Sequence, residues 1–390
     1  MNEKTVLRAG GGRFYSRLGV SDSIFLGGNS PFQPIVSVSN GSVDNPGGST
    51  VNQFPLTLTN QDRVYKNPES FLWNFTVERE TPWNTILDVA YVGRRGLHGQ
   101  RERDVNQLQA GTLQANPDVN PDYLRPYKGF AVLRTTNNDA NSMYNSLQIN
   151  WNKRFSSGFG FGIAYTLSAS NDDGSNQRDI IPDAFNAHNL WGPSEFDTRN
   201  ILVINYIYDL PFFRDHSKLS GKLLGGWQIS GITQFQTGTP CGVGTADDFA
   251  GVGTIGDFGC GNAGQFWVVN GDPNIQHNFA QSSNDPAQWF ATKNPDGTNI
   301  FTRPAPGTFN QQSVRDLIYG PGLQNWNLSL MKKFSITEQT GFEFRADAYN
   351  FVNHPNWNNP DYNPTSSTFG KVTGKSDSSR QLQLSLRFFF

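Results

Sequence analysis

The last eleven residues, Arg380 to Phe390 (RQLQLSLRFFF), alternate in character. Leu382, Leu384, Leu386, Phe388 and Phe390 take every second position, with Gln381, Gln383, Ser385, Arg387 and Phe389 between them. A period of two puts the two sets on opposite faces of a β-strand. The pattern recurs upstream. Glu69 to Glu80 groups Phe71, Trp73, Phe75 and Val77 on one face, and Trp83 to Arg94 groups Trp83, Leu87, Val89 and Tyr91. Leu147, Ile149, Trp151 and Phe155 alternate with Gln148, Asn150, Asn152 and Arg154. After Ser156-Ser157-Gly158, the apolar set Phe159, Phe161, Ile163, Tyr165 and Leu167 continues opposite small residues. Phe196 to Leu210 is apolar on both faces. Lys4–Ser16, Gly225–Gly238, Leu323–Ile336 and Gly341–Val352 bring the total, with the C-terminal segment, to about ten predicted strands.

The connections sort by parity. Short turns near Thr81, Ser156, Pro211 and Thr337 interleave with long polar segments at 17–68, 98–140, 171–195, 239–321 and 354–377. A soluble β-sandwich also alternates along its strands, but gives no reason for every second connection to be long. Outer-membrane barrels do, with short periplasmic turns and long extracellular loops. The pattern therefore predicts an all-β fold, an antiparallel transmembrane β-barrel segment with the C-terminus on the periplasmic side. Trp83, Phe155, Phe159, Phe212, Trp227, Phe334 and Phe342 lie beside the short turns, where an aromatic girdle belongs. Trp73, Tyr91, Phe235 and Trp326 fall towards the other interface.

Composition agrees. Charged residues are 16% and aromatics 13%, unlike a disordered chain. No apolar run reaches the roughly 20 residues of a membrane helix, so membrane insertion requires strands whose backbone groups pair with one another. With a net charge of −2, nothing in the balance of charge suggests a nucleic-acid surface. The start, MNEKTVLRAGGGRFYSRL, lacks the apolar stretch of an export signal. Cys241 and Cys260 share one Gly-rich stretch and are either a disulfide or two free thiols.

Candidate chemistry is sparse. His98, His188, His216, His277 and His354 are scattered without ligand spacing, and no predicted strand carries a histidine. Asp172-Asp173 and Asp247-Asp248 lack the alternation of a calcium loop and read as solvated carboxylates. No nucleophile motif is present, and Gly10–Gly12 has no following GK[ST] that would make it a phosphate loop. The expectation is a protein without catalytic residues, metal or cofactor. Arg154, Glu343, Arg345, Asp347 and Arg387 fall on polar strand faces and are candidate lumen-lining residues. The rival reading is a secreted or surface β-rich binding or adhesion protein with its aromatics gathered at one loop end.

The stretches YNSLQINWNKRFSSGFGFGIAYTLSAS (144–170), GGWQISGITQFQTGTP (225–240), GPGLQNWNLSLMKKFSI and FEFRADAYNFVNHPNW (320–357) resemble the TonB-dependent transporter family, closest to its Oar-like branch. Leu382, Leu384, Leu386, Phe388 and Phe390 resemble that family's final strand, the signal read by the barrel-assembly machinery. The resemblance implies a 22-stranded barrel in the outer membrane of a Gram-negative bacterium. It also implies an internal plug through which TonB drives uptake of large ligands. With about ten strands and no plug sequence, residues 1–390 read as the C-terminal part of such a barrel. The expected partners are outer-membrane lipid, the assembly machinery, and the missing N-terminal strands and plug. An open half-barrel is expected, with unpaired edges at 4–16 and 378–390.

Overall fold

The computed structural model describes residues 4–17, 26–29, 55–176, 178–213, 219–256, 258, 260, 264–275, 287–337, 339–376 and 379–390. In chain order the strands are β1 (Thr5–Tyr15), β2 (Leu56–Gln61), β3 (Glu69–Thr81), β4 (Thr85–Asp104), β5 (Phe130–Ser156), β6 (Phe159–Asp172), β7 (Gly192–Pro193), β8 (Asn200–Asp209), β9 (Trp227–Gln236), β10 (Pro240–Cys241), β11 (Val268–Val269), β12 (Ala287–Gln288), β13 (Phe301–Thr302), β14 (Ile318–Tyr319), β15 (Leu323–Ser335), β16 (Gly341–Tyr349), β17 (Lys371–Val372) and β18 (Gln381–Phe389). Ten of them form one antiparallel path, β1-β3-β4-β5-β6-β8-β9-β15-β16-β18, with β2 and β7 attached at its side. No pairing joins β1 to β18 among the described residues, so the sheet is an open partial barrel.

Directly opposed residues of antiparallel strands project to the same side, so the register carries each face across the wall. One apolar row runs Leu87, Trp151, Ile163, Ile204, Thr233, Trp326. Another runs Ile229, Leu330, Ala346, Leu384. The opposite face reads Asp88, Asn150, Ala164, Val203, Gln234, Asn325. The ambiguous segment Phe196–Leu210 resolves as β8. It presents Leu202, Ile204, Tyr206 and Tyr208 to the apolar face and Ile201, Val203 and Ile207 to the other.

Close packing on the apolar face depends on glycines. The Trp73 indole lies over Gly93, where an added Cβ would stand 2.2 Å from the ring, and Tyr206 covers Gly231 likewise at 2.5 Å. The four short connections, β3–β4, β5–β6, β8–β9 and β15–β16, all fall at one end of the sheet. Ser157 and Gly158 both take positive φ, as a two-residue hairpin turn requires.

Several expectations need correction. None of the long segments is wholly loop: β7 lies in 171–195, β10–β14 in 239–321 and β17 in 354–377, and segments 98–140 and 17–68 carry longer strands. β4 continues to Asp104 and β5 begins at Phe130, pairing from Gly99–Ala140 to Asp104–Arg134 after a register shift at Gly96–Gly99. β2 lies parallel along the same stretch of β5. These extensions carry polar residues on both faces, so they lack the alternation that marks the wall. Residues 18–25 and 30–54 of segment 17–68 lie outside the described residues, as do His216 and His277. The statement about histidine also fails: His98 sits inside β4.

The long segments pack together into a cap with two apolar clusters. The larger contains Cys241, Val243, Trp267, Phe290, Ile300, Phe301, Ile318 and Tyr362. The smaller contains Ile181, Leu190, Phe258 and Phe266.

Candidate functional site

Charged side chains cluster on the polar face of the wall and in the cap at its long-loop end. On the polar face, β16 presents Glu343, Arg345 and Asp347 in a row opposite Arg387, Ser385 and Gln383 of β18. Arg345 Nε donates to Asp347 Oδ1 at 2.9 Å, and Lys333 Nζ lies 3.5 Å from Glu343 Oε2. At the far edge, Arg8 pairs with Glu78, and Glu78 stands opposite Asp88. Arg154 lies in the bulge between Lys153 and Ser156, exposed beside the turn. The ladder thus gathers Glu343, Arg345, Asp347 and Arg387 and leaves Arg154 apart. Facing charges of both signs bind one another, so this face is polar without a strong net field.

Of the seven turn-side aromatics, Trp83 (79% exposed) and Phe212 lie in turns. Phe155, Phe159, Trp227, Phe334 and Phe342 lie at strand ends. Phe334 opposes Phe342, whose ring centre lies 5.2 Å from that of Phe388 with the two rings tilted. Leu382, Leu384, Leu386, Phe388 and Phe390 of the terminal segment are all exposed.

The cap is held by carboxylates, Asp172 and Asp248, that the sequence pattern predicts to be solvated. Asp172 is buried, and its carbonyl and Oδ1 accept from Arg315 Nη1 at 2.8 and 2.5 Å. Arg315 Nε is 3.2 Å from Asp316 Oδ2, and its guanidinium sits 5.0 Å from the centre of the Phe258 ring. Asp248 accepts from the backbone of Val252 and Gly253 and from Gln265. These carboxylates are internal acceptors because the glycine-rich loops fold back over them. A second junction joins β4 to the longest loop. Asp104 accepts from Arg125, Thr254, Asn106 and Leu133, and Arg125 Nη2 donates to Gly253 O at 2.6 Å. Cys241 and Cys260 form a disulfide inside the larger cluster, with Cα atoms 4.8 Å apart.

Burial pushes the Asp316 carboxyl up to about 7; Arg315 opposes the shift, while Glu195 and Asp172 add to it. Burial likewise raises Asp179 to about 6, against a backbone hydrogen bond from Asn176. His98 Nδ1 lies 3.7 Å from Glu69 Oε1. Among the described residues no cluster of His, Cys, Asp or Glu could hold a metal ion. A cavity of about 230 Å³ opens where β1, β3 and β4 meet the cap, lined by Phe14, Tyr15, Ser70, Arg94, Asn141 and Ser142 among others. Arg94 donates to Ser70 Oγ there from both Nε and Nη2.

The family model of the outer membrane beta barrel domain matches residues 1–383. The chain belongs to that family. Its wall is therefore an outer-membrane β-barrel wall in the Gram-negative outer membrane, with the apolar face towards lipid. No curated protein sequence matches. Among solved structures, the chain is similar to the outer membrane transporter YddB from Escherichia coli, at 11% identity and a TM-score of 0.49. All of this chain aligns with 39% of that one. It is also similar to a mutant of the ferric enterobactin receptor PfeA from Pseudomonas aeruginosa (10% identity, TM-score 0.47, 99% of this chain and 38% of that). A third is the siderophore receptor PiuA from Acinetobacter baumannii (6% identity, TM-score 0.43, 100% and 34%). The chain spans about two fifths or less of the length of each.

Proposed function

We propose that residues 1–390 supply part of the barrel wall and the extracellular cap of a TonB-dependent transporter that takes up a large ligand. The observation that carries this reading is the open ten-strand path, with every short connection at one end and a cap of folded loops at the other. A ten-strand sheet could close on itself with a narrow lumen; this one leaves both edge strands available for further strands. In this reading Glu343, Arg345, Asp347, Arg387 and Arg154 line the lumen beside a plug, and TonB acts through that plug. Trp83, Phe155, Phe159, Phe212, Trp227, Phe334 and Phe342 form the periplasmic girdle. Leu382, Leu384, Leu386, Phe388 and Phe390 present the assembly signal. The sequence resemblance to the Oar-like branch supports the same assignment.

The test is the size and state of the native polypeptide. Outer membranes probed with an antibody to the cap should show a species well above the 43.3 kDa of this chain, and its peptides should include additional strands and a plug. A 43.3 kDa species that runs as a closed, heat-modifiable barrel and conducts ions by itself would overturn the proposal.

A further inference from the structure

The charges on the lipid-facing side of the wall are distributed unequally. Below the register shift at Gly96–Gly99, the register places Arg13, Arg79, Arg95, Lys153 and Lys332 on the apolar face. The carboxylates Glu78, Glu80, Asp88, Asp209, Glu343 and Asp347 lie on the other face, and Glu69 alone accompanies the five cations. A cation on the lipid face is costly at the bilayer midplane and tolerated near the interfaces. The cations obey that rule. Arg79, Lys153 and Lys332 lie near the short turns, and Arg13 and Arg95 near the cap.

The Arg13 end carries more than isolated charges. Arg13, Phe71 and Arg95 form one row across β1, β3 and β4. With strands about 4.8 Å apart, the two arginines stand roughly 10 Å from each other with the Phe71 ring between them. The row lies one step beyond Trp73–Gly93 and two beyond Phe75–Tyr91. Tyr91 Oη donates to Asn145 Oδ1 at 2.6 Å, and Tyr165 Oη to Asn200 Oδ1 at 2.7 Å, as phenols at a membrane interface do. The Arg13 guanidinium lies 4.9 Å from the Tyr15 ring centre and 5.1 Å from that of Phe71, and the side chain is 52% exposed. Its Nε and Nη2 donate to the buried Glu69, which fixes its orientation. Arg95 is exposed and has no carboxylate within ion-pair distance among the described residues. Two guanidinium groups, one aimed by a carboxylate, over an aromatic floor at headgroup depth suit a phosphate.

We propose that Arg13 and Arg95, bracketing Phe71 on the lipid-facing side of the wall, bind a phosphate of the phosphorylated glycolipid in the outer leaflet. The inference rests on the outer-membrane placement of the wall and not on the transporter reading. The full chain, folded in detergent micelles, would be titrated with diphosphoryl lipid A and the complexes counted by native mass spectrometry. Wild type should bind lipid A at least tenfold more tightly than the double variant Arg13→Gln/Arg95→Gln. A control pair at the other end, Arg79→Gln/Lys153→Gln, should change binding less than twofold. Fully dephosphorylated lipid A offered to wild type should bind as weakly as intact lipid A binds the double variant, a comparison that needs no variant to fold. Equal binding of both lipids by wild type would overturn the proposal. So would full displacement of lipid A by equimolar inorganic phosphate, which would make the row a free-anion site.

Discussion

The wall and the cap keep their apolar residues in opposite places. In the cap, Phe258, Phe290, Ile181 and Val252 are at most 2% exposed. In the wall, Phe75, Tyr91, Leu147, Leu167 and Leu382 are 39–74% exposed. The cap therefore folds as a soluble domain does, by taking apolar surface out of water. Lipid covers the apolar face of the wall, so the wall is organised by backbone pairing and by the choice of side chains at each depth. The charges differ accordingly. In the cap, Arg315 and Asp172 are buried and paired across distant segments, while the lipid-facing side of the wall keeps its charges to its two ends.

The largest effect should come from breaking the cap's charge junction. Arg315→Ala removes the partner of Asp172 and Asp316 in a buried site and should cost about 3–5 kcal/mol. Hydrogen exchange should show faster exchange across the cap, with the β15–β16 ladder unchanged. Next comes the wall. Leu330 is midway between Trp326 and Phe334 on the lipid-facing side of β15, and Leu330→Arg should cost about 2–4 kcal/mol of folding free energy in phospholipid vesicles. Ser329→Arg, on the polar face next door, should cost much less. A third test removes the disulfide: Cys241→Ser/Cys260→Ser opens a loop of 19-residue separation and should cost about 3 kcal/mol. That loss should appear in cap denaturation and not in the folding of the wall.

The spanning strands were legible because each half-turn of the pleat meets a different solvent. In β15, Trp326, Leu328, Leu330 and Phe334 alternate with Asn327, Ser329, Met331 and Lys333, and the period of two locates both strand and face. Past the membrane that contrast disappears. The upper part of β4, from Gly99 to Asp104, and the segment of β5 it pairs with are polar on both sides, so they read as loop. The cap was hidden for a related reason. Phe249, Phe258, Phe266, Trp267, Trp289, Phe290 and Phe301 recur with no period, and their number within a supposed loop was the available sign of a second core. The partners of Asp172 and Asp248, Arg315 and the Val252–Gly253 backbone, are not legible from spacing: Arg315 reaches Asp172 only through long-range folding, and the Asp248 contacts depend on the fold of a glycine-rich loop. The Arg13–Phe71–Arg95 row had the same obstacle, since only the register brings those three strands together.

The smallest expected effect concerns pH. The folded-state carboxyls of Asp316 (about 7) and Asp179 (about 6) lie above the usual value of 3.8. Each therefore costs folding free energy while ionised, and the cost fades as pH falls through its folded value. The cap should exchange its amides more slowly at pH 5.5 than at pH 8, after correction for intrinsic rates. Asp316→Asn should remove much of that difference.

The most direct test of the account is a nitroxide scan from Asn327 to Met331 on β15, in the full chain reconstituted in bilayers. If the apolar side faces lipid, labels at positions 328 and 330 should collide preferentially with oxygen. Labels at 327, 329 and 331 should collide less with oxygen and more with a water-soluble nickel chelate. A flat profile, or one in which 328 and 330 favour nickel, would contradict the assignment of the two faces.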